Sequence, residues 1–187
     1  MKVIETRLPG VLIIEPKVHG DARGFFSETF QAERYRREAG IELPFVQDNH
    51  SRSSRGVLRG LHAQQPNPQG KLVRVARGEV FDVAVDIDPA SKTFGQWVGV
   101  TLSDTNHRQF WVPPGYAHGF VVLSESADFE YKCTDYYQPR AEIGVIWNDP
   151  EIGIEWPIQA PKLSDKDLKL PSLAEIRANS KRSQGNQ

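Results

Sequence analysis

The sequence predicts an all-β domain closed into a sandwich or barrel, and three observations carry that reading. From Val57 to about Trp147, short strand-like runs ("QWVGVTL", "RQFWVPP", "HGFVVLS", "DFEYKCTDYY") follow one another at roughly ten-residue spacing. Such spacing argues against βαβ units, which need longer helical stretches between strands. The chain of 187 residues is long enough for one well-buried core and short for two.

Taken in order, "VLIIE" (11–15) is apolar but far too short to span a bilayer. "SETFQAERYRREAG" (27–40) is the one convincing helix in the first 160 residues: Arg and Glu alternate along it and Gly40 supplies a stop, as expected of a solvated surface helix. "KLVRVARGEVFDVAVDID" (71–88) holds two alternating runs joined at "RGE", which reads as a hairpin. In its second run Val80, Asp82, Ala84 and Asp86 share a face, so Asp82 is a candidate to enter the interior. "DFEYKC" alternates likewise, with Phe129, Tyr131 and Cys133 on the apolar, inward face and Asp128, Glu130 and Lys132 opposite. After Pro157, "LSDKDL" and "PSLAEIRA" each carry Ser followed three residues later by an acid, the capping-box pattern. The expected organisation is one domain over 1–177: an N-terminal arm (1–45), a β core (46–150) and a C-terminal helical segment (160–177). The last ten residues, "ANSKRSQGNQ" (178–187), are expected to be a disordered tail.

Composition narrows the partners. A formal net charge of −1 gives no global attraction to nucleic acid or an anionic membrane, so an anionic ligand needs a local cluster of Arg and Lys. One cysteine, Cys133, excludes an internal disulfide and a Cys-rich zinc site. The first residues lack the layout of a secretory signal. The protein is expected to be soluble and cytoplasmic.

Two spacings are chemically informative. Gly56 precedes His62 with five residues between, Lys71 precedes Gly78 with six between, and "PPGYAH" sets Pro113, Gly115 and His118 in the P-x-G-x2-H pattern. These resemble the two motifs of the cupins, which implies a double-stranded β-helix (a jelly-roll barrel) with a few short peripheral helices. The would-be ligand positions are His62, Gln64, Lys71 and His118. An amide is a poor ligand and an ammonium repels a cation, so no metal is expected. A histidine beside a lysine instead suits proton removal next to a carbonyl, with imidazole as base and ammonium as oxyanion stabiliser. Inversion at carbon then needs an acid on the other face, for which the inward Tyr131 is the candidate. Either Asp82 or Asp167 is available to orient His62.

Longer stretches carry a narrower resemblance: "DARGFFSETF" (21–30), "FVQDNHSRSSRGVLRGLHAQ" (45–64), "PPGYAHGF" (113–120), "YKCTDYY" (131–137), "EIGVIWNDP" (142–150), and "IEWP" with "LSDKD" up to residue 167. In order and spacing the chain resembles the dTDP-4-dehydrorhamnose 3,5-epimerase family, which makes dTDP-4-dehydro-L-rhamnose from dTDP-4-dehydro-6-deoxy-D-glucose without a cofactor on the way to dTDP-L-rhamnose. The resemblance implies His62 as general base, Asp167 as its partner, Tyr131 as acid, and Lys71 near the substrate's keto group. It implies substrate contacts from Arg59, His118, Gln47, Asn49, Glu142 and Lys166, with Tyr137 stacking on the thymine. It further implies a homodimer in which the arm bearing Arg23 and Glu28 reaches the neighbouring subunit's site. Arg52 and Arg55 are further candidate cations for the diphosphate.

Overall fold

A computed structural model describes residues 1–184. Its strands are β1 (Lys2–Glu5), β2 (Leu12–Glu15), β3 (Val18–Asp21), β4 (Gly24–Ser27), β5 (Gln47–Ser54), β6 (Leu58–Gln64), β7 (Lys71–Arg77), β8 (Glu79–Asp86), β9 (Trp97–Ser103), β10 (Gln109–Val112), β11 (Tyr116–Val122), β12 (Ser126–Cys133) and β13 (Glu142–Gly144); its helices are α1 (Ala32–Ala39) and α2 (Leu173–Gln184). One sheet runs β1-β2-β10-β7-β12-β5 and the other β13-β6-β11-β8-β9, with β3 and β4 forming a separate two-stranded arm. All the ladders are antiparallel. This is the barrel of two facing sheets that the strand spacing predicts.

The alternation in the sequence maps directly onto the faces. Val73, Val80, Ala84, Phe110, Phe120 and Phe129 project between the sheets and form the central core. Phe110 is fully buried. Phe110→Ala is therefore expected to cost about 3–5 kcal/mol, because the cavity is walled by rigid strands and collapses poorly. A shift in the urea midpoint at unchanged slope checks this.

One connection differs from expectation. β7 pairs with β10 and β12, whereas β8 pairs with β11 and β9, so the "RGE" link is not a hairpin but carries the chain from one sheet to the other. A period of two identifies the buried face of a strand and says nothing of its partner. The turn is made at Gly78, at φ +85°, where an added Cβ would lie 2.2 Å from the Ser126 carbonyl oxygen.

The two outer faces are covered by the chain's ends. α1 starts later than the sequence suggests, at Ala32, with the Gln31 side chain accepting from the Arg34 amide (2.5 Å). The helix is also not merely solvated. Tyr35 is buried with Ile14, Ile41, Leu72 and Trp111 against the six-stranded sheet, and its hydroxyl donates to Gln109 Oε1 (2.7 Å). On the other side Val145, Ile152 and Leu173 pack on Leu61, Val83 and Val85 of the five-stranded sheet. α2 opens with the expected capping box: Ser172 Oγ accepts from the Glu175 amide (3.3 Å), and Glu175 Oε2 accepts from the Ser172 amide (2.8 Å). α2 continues to Gln184, so residues 178–184 of the expected tail are helical; the helical propensity of Ala, Arg, Lys and Gln favours that continuation. The remaining tail residues, 185–187, lie outside the described residues. No described helix is long and apolar enough to cross a membrane.

Candidate active site

The site lies inside the barrel, where β6 and β11 run side by side with His62 and His118 as direct cross-strand partners. Directly opposed residues share a sheet face, so both rings point inward. The strands approach closely because Gly60 and Gly119 face each other; a Cβ on Gly60 would sit 2.6 Å from the Gly119 Cα. The ladder register also shifts between His118 and Phe120, a bulge of the kind that re-aims side chains beside sites.

His62 Nε2 lies 2.7 Å from Asp167 Oδ1. Asp167 stands at the head of a 3₁₀ turn (Asp167–Lys169), and its amide is capped by Ser164 Oγ (3.1 Å). The capping box read from "LSDKD" is thus only half made, because the acid turns inward to the histidine. Burial alone would raise the Asp167 carboxyl, but the hydrogen bond and charge of His62, with the Gly60 amide and Ser164, outweigh it and hold the group below its usual value. Of the two candidate acids, Asp167 is the one hydrogen-bonded to His62.

Asp82 is the correction. It enters the barrel as the alternation predicts and is fully buried, but its Oδ1 meets His118 Nε2 at 2.8 Å rather than His62. β8 lies next to β11, one strand removed from β6, so its inward residues reach His118 first.

Lys71 and Tyr131 come from the opposite sheet, on β7 and β12. Lys71 donates to the His62 carbonyl oxygen at 3.5 Å. Burial holds its ammonium below the usual lysine value, against the pull of Cys133, Glu142 and Asp82. Burial likewise pushes the Tyr131 phenol above its usual range, with Cys133 adding to the effect, so it keeps its proton at neutral pH.

Around these groups lie two adjoining lobes of about 530 and 360 Å³, and His62, Lys71 and Tyr131 line both. The larger also takes Arg59, His118, Lys166 and Asp167. The smaller takes Gln47, Asn49, Tyr137 and Glu142. Glu142 ties the wall together: it is ion-paired to Lys166, accepts from the Tyr137 hydroxyl at 2.7 Å, and lies 4.0 Å from His62 Nε2. Burial would raise its carboxyl, but hydrogen bonds from Lys166 and Tyr137 together with the His62 and Lys166 charges hold it low. Gln47 accepts from the Tyr137 amide (2.9 Å) and donates to Asn49 Oδ1 (3.1 Å). A separate groove of about 350 Å³ opens along β5, β7 and β12, but it contains neither His62 nor Lys71, and its Lys132–Asp48 and Arg74–Glu130 charges are already paired.

One expectation, about the cations, changes. Arg52 is taken by Asp128 (2.6 Å) and does not line either lobe, nor does Arg55; the additional cation beside Arg59 and Lys166 is Lys162, which no local motif marks. Its backbone docks on Gly56 and Leu58 from across the chain, a contact visible only in the fold. Arg23 and Glu28 do not reach the cavity of their own chain: Arg23 pairs with Asp21 (2.5 Å) and Glu28 with Arg34 (3.3 Å). Gln64, at a would-be metal position, has its amide engaged by Asn67 and Tyr136 carbonyls and the Gln138 amide. With that amide tied to a loop and Lys71 beside it, the donor set does not fit a first-row metal.

The chain as a whole has counterparts among known proteins. The family model for dTDP-4-dehydrorhamnose 3,5-epimerase matches residues 5–175. The enzyme of that name from Salmonella typhimurium is 59% identical over 175 residues, covering 92% of this chain and 96% of the relative. That from Pseudomonas aeruginosa is 55% identical over 176 residues, covering 94% and 97%. The crystal structure of dTDP-6-deoxy-D-glucose-3,5-epimerase from Legionella pneumophila Philadelphia 1, in complex with dTDP-4-keto-L-rhamnose, superposes with a TM-score of 0.92 at 57% identity and 95% coverage of both chains. Agreement in sequence over nearly the whole chain and in backbone throughout leaves one conclusion: this chain belongs to the dTDP-4-dehydrorhamnose 3,5-epimerase family.

Proposed function

We propose that the protein epimerises dTDP-4-dehydro-6-deoxy-D-glucose at C3 and C5 to dTDP-4-dehydro-L-rhamnose, for dTDP-L-rhamnose synthesis. The observation that carries the reading is the opposition of a base and an acid: His62 stands on one sheet, Tyr131 on the other, and both face the same cavity. The C4 ketone acidifies the C–H bonds at C3 and C5, so no cofactor is needed to make the carbanion. His62, aligned through Nε2 by Asp167, takes the proton on its other ring nitrogen. The electron pair moves into the C–C bond and onto the C4 oxygen, beside the Lys71 ammonium. Tyr131 gives its proton to the opposite face of the same carbon, and solvent resets both groups before the second inversion. Arg59, Lys162 and Lys166 suit the diphosphate at the mouth of the larger lobe, and Tyr137 suits the thymine in the smaller.

The same reading includes a homodimer. Phe25 and Phe26 on the β3–β4 arm are 64% and 71% exposed, beside an outward Arg23, which suits an arm that buries against a second copy. It also includes cytoplasmic work, in keeping with the free, buried thiol of Cys133. The test is turnover of dTDP-4-dehydro-6-deoxy-D-glucose in D₂O. Deuterium is expected at both C3 and C5 of the product; label at a single carbon would reduce the activity to mono-epimerisation, and no label would remove the proton-transfer reading.

A further inference from the structure

The barrel holds a second histidine–carboxylate pair beside the first. Asp82 is 0% exposed and His118 7%. Asp82 Oδ1 meets His118 Nε2 at 2.8 Å, while Asp82 Oδ2 is buried with no hydrogen-bond partner among the described residues. Phe129 lies against the His118 ring (centroids 6.1 Å apart, planes 23° apart), so ring plane and ring rotation are both constrained. His118 lines the larger lobe together with His62, Lys71 and Tyr131. Nε2 is turned to Asp82, which leaves Nδ1 as the ring nitrogen without a partner among the described residues.

We infer that Asp82 is a positioning residue that holds His118 with a hydrogen on Nδ1, making His118 a second donor, beside Lys71, to the C4 oxygen of the substrate; this rests on the epimerase reading above. The physical argument is one of satisfying buried groups. A fully buried, bare carboxylate with one oxygen unpartnered is costly, and the pair avoids that cost by keeping one extra proton between Oδ1 and Nε2. Whether that proton sits on the acid or on the ring, Nδ1 carries a hydrogen: a neutral imidazole that accepts at Nε2 must be protonated at Nδ1, and an imidazolium is protonated at both. The alternative, an ionised Asp82 accepting from a neutral Nε2–H, would present a lone pair to the C4 oxygen and repel it. Of the charged groups facing Asp82, His118 and Lys71 favour its anion, and burial outweighs both and raises the carboxyl. Lys71 is itself also held by Cys133 and Glu142. The two dyads thus play different parts. The partly open His62–Asp167 pair leaves a lone pair for a proton, and the sealed His118–Asp82 pair offers a hydrogen to a developing oxyanion.

The test combines a spectroscopic and a kinetic measurement on the full chain. In ¹⁵N-histidine-labelled, ligand-free wild type near neutral pH, the His118 Nδ1 resonance is expected at a protonated position. Removing one donor to an oxyanion costs roughly 10²–10³-fold in turnover, so Asp82→Ala is expected to lower kcat by about that factor with KM within a few-fold. Asp82→Asn can donate its amide hydrogen to Nε2 and keep Nδ1–H, so it is expected to recover most of that loss. A wild-type His118 with its lone pair on Nδ1 overturns the inference, and so does an Asp82→Ala enzyme with unchanged kcat or one whose loss lies in KM alone. If Asp82→Ala does not fold, the wild-type ring spectrum decides by itself. A protonated Nδ1 in an enzyme that does not turn over the 4-keto sugar would count against the proposed substrate and not against the Asp82–His118 arrangement.

Discussion

His62→Ala is expected to lower kcat by roughly 10²–10⁴-fold while dTDP still binds, because under the proposed mechanism the change removes the group that takes the proton and leaves the proposed nucleotide contacts in place. That loss corresponds to about 3 to 5 kcal/mol of transition-state stabilisation. Asp167 buries its carboxylate against the ring at 2.7 Å, so the truncation also strips that carboxylate of its main partner. The wall that would hold the nucleotide is built separately, through Gln47, Tyr137, Glu142 and Lys166. Calorimetric titration with dTDP beside steady-state kinetics checks the split. Turnover within a few-fold of wild type would leave His62 a structural ring; loss of dTDP binding in step with turnover would mean the substitution had damaged the pocket as a whole.

Tyr131→Phe separates the two proton transfers. The ring stays in place on β12, against Phe129 (centroids 5.9 Å apart), and only the hydroxyl goes. His62 can still take a proton and return a solvent-derived one to the same face. In D₂O the substrate is therefore expected to gain deuterium at close to the wild-type rate while inversion falls by roughly 10²-fold or more. Mass spectrometry of recovered substrate and NMR of the product read the two processes in one reaction. Exchange and inversion lost together would assign Tyr131 to the abstraction step; inversion at the wild-type rate would remove it from the chemistry.

Much of this site is legible along individual strands. The alternation in "EVFDVAVDID" and "DFEYKC" puts Asp82 and Tyr131 on the inward face, and both are there. The Gly56–His62 and Lys71–Gly78 spacings mark His62 and Lys71 without reference to any contact between them, and both line the cavity. Local pattern misleads wherever a feature depends on a partner strand. "RGE" resembles a hairpin turn because two alternating runs flank it, yet those runs belong to different sheets. Arg52 is a cation in a promising stretch, but on β5 it stands beside Asp128 of β12 and is consumed there. Lys162 lies in no motif and reaches the cavity only because its backbone docks beside Val57.

By itself the sequence determined which side chains look inward and what chemistry they bring: an imidazole, an ammonium where a ligating carboxylate would stand, and a phenol. That information is local, since the strand repeat of two residues assigns a face without reference to any other strand. Which acid serves which histidine was decided only by the tertiary structure. Asp82 is 36 residues from His118 and Asp167 is 105 from His62, and both acids were open to His62 until the sheet order set β8 beside β11 and the C-terminal turn beneath β6. A hydrogen bond reaches about 3 Å, so strand neighbourhood rather than residue type chooses the pair.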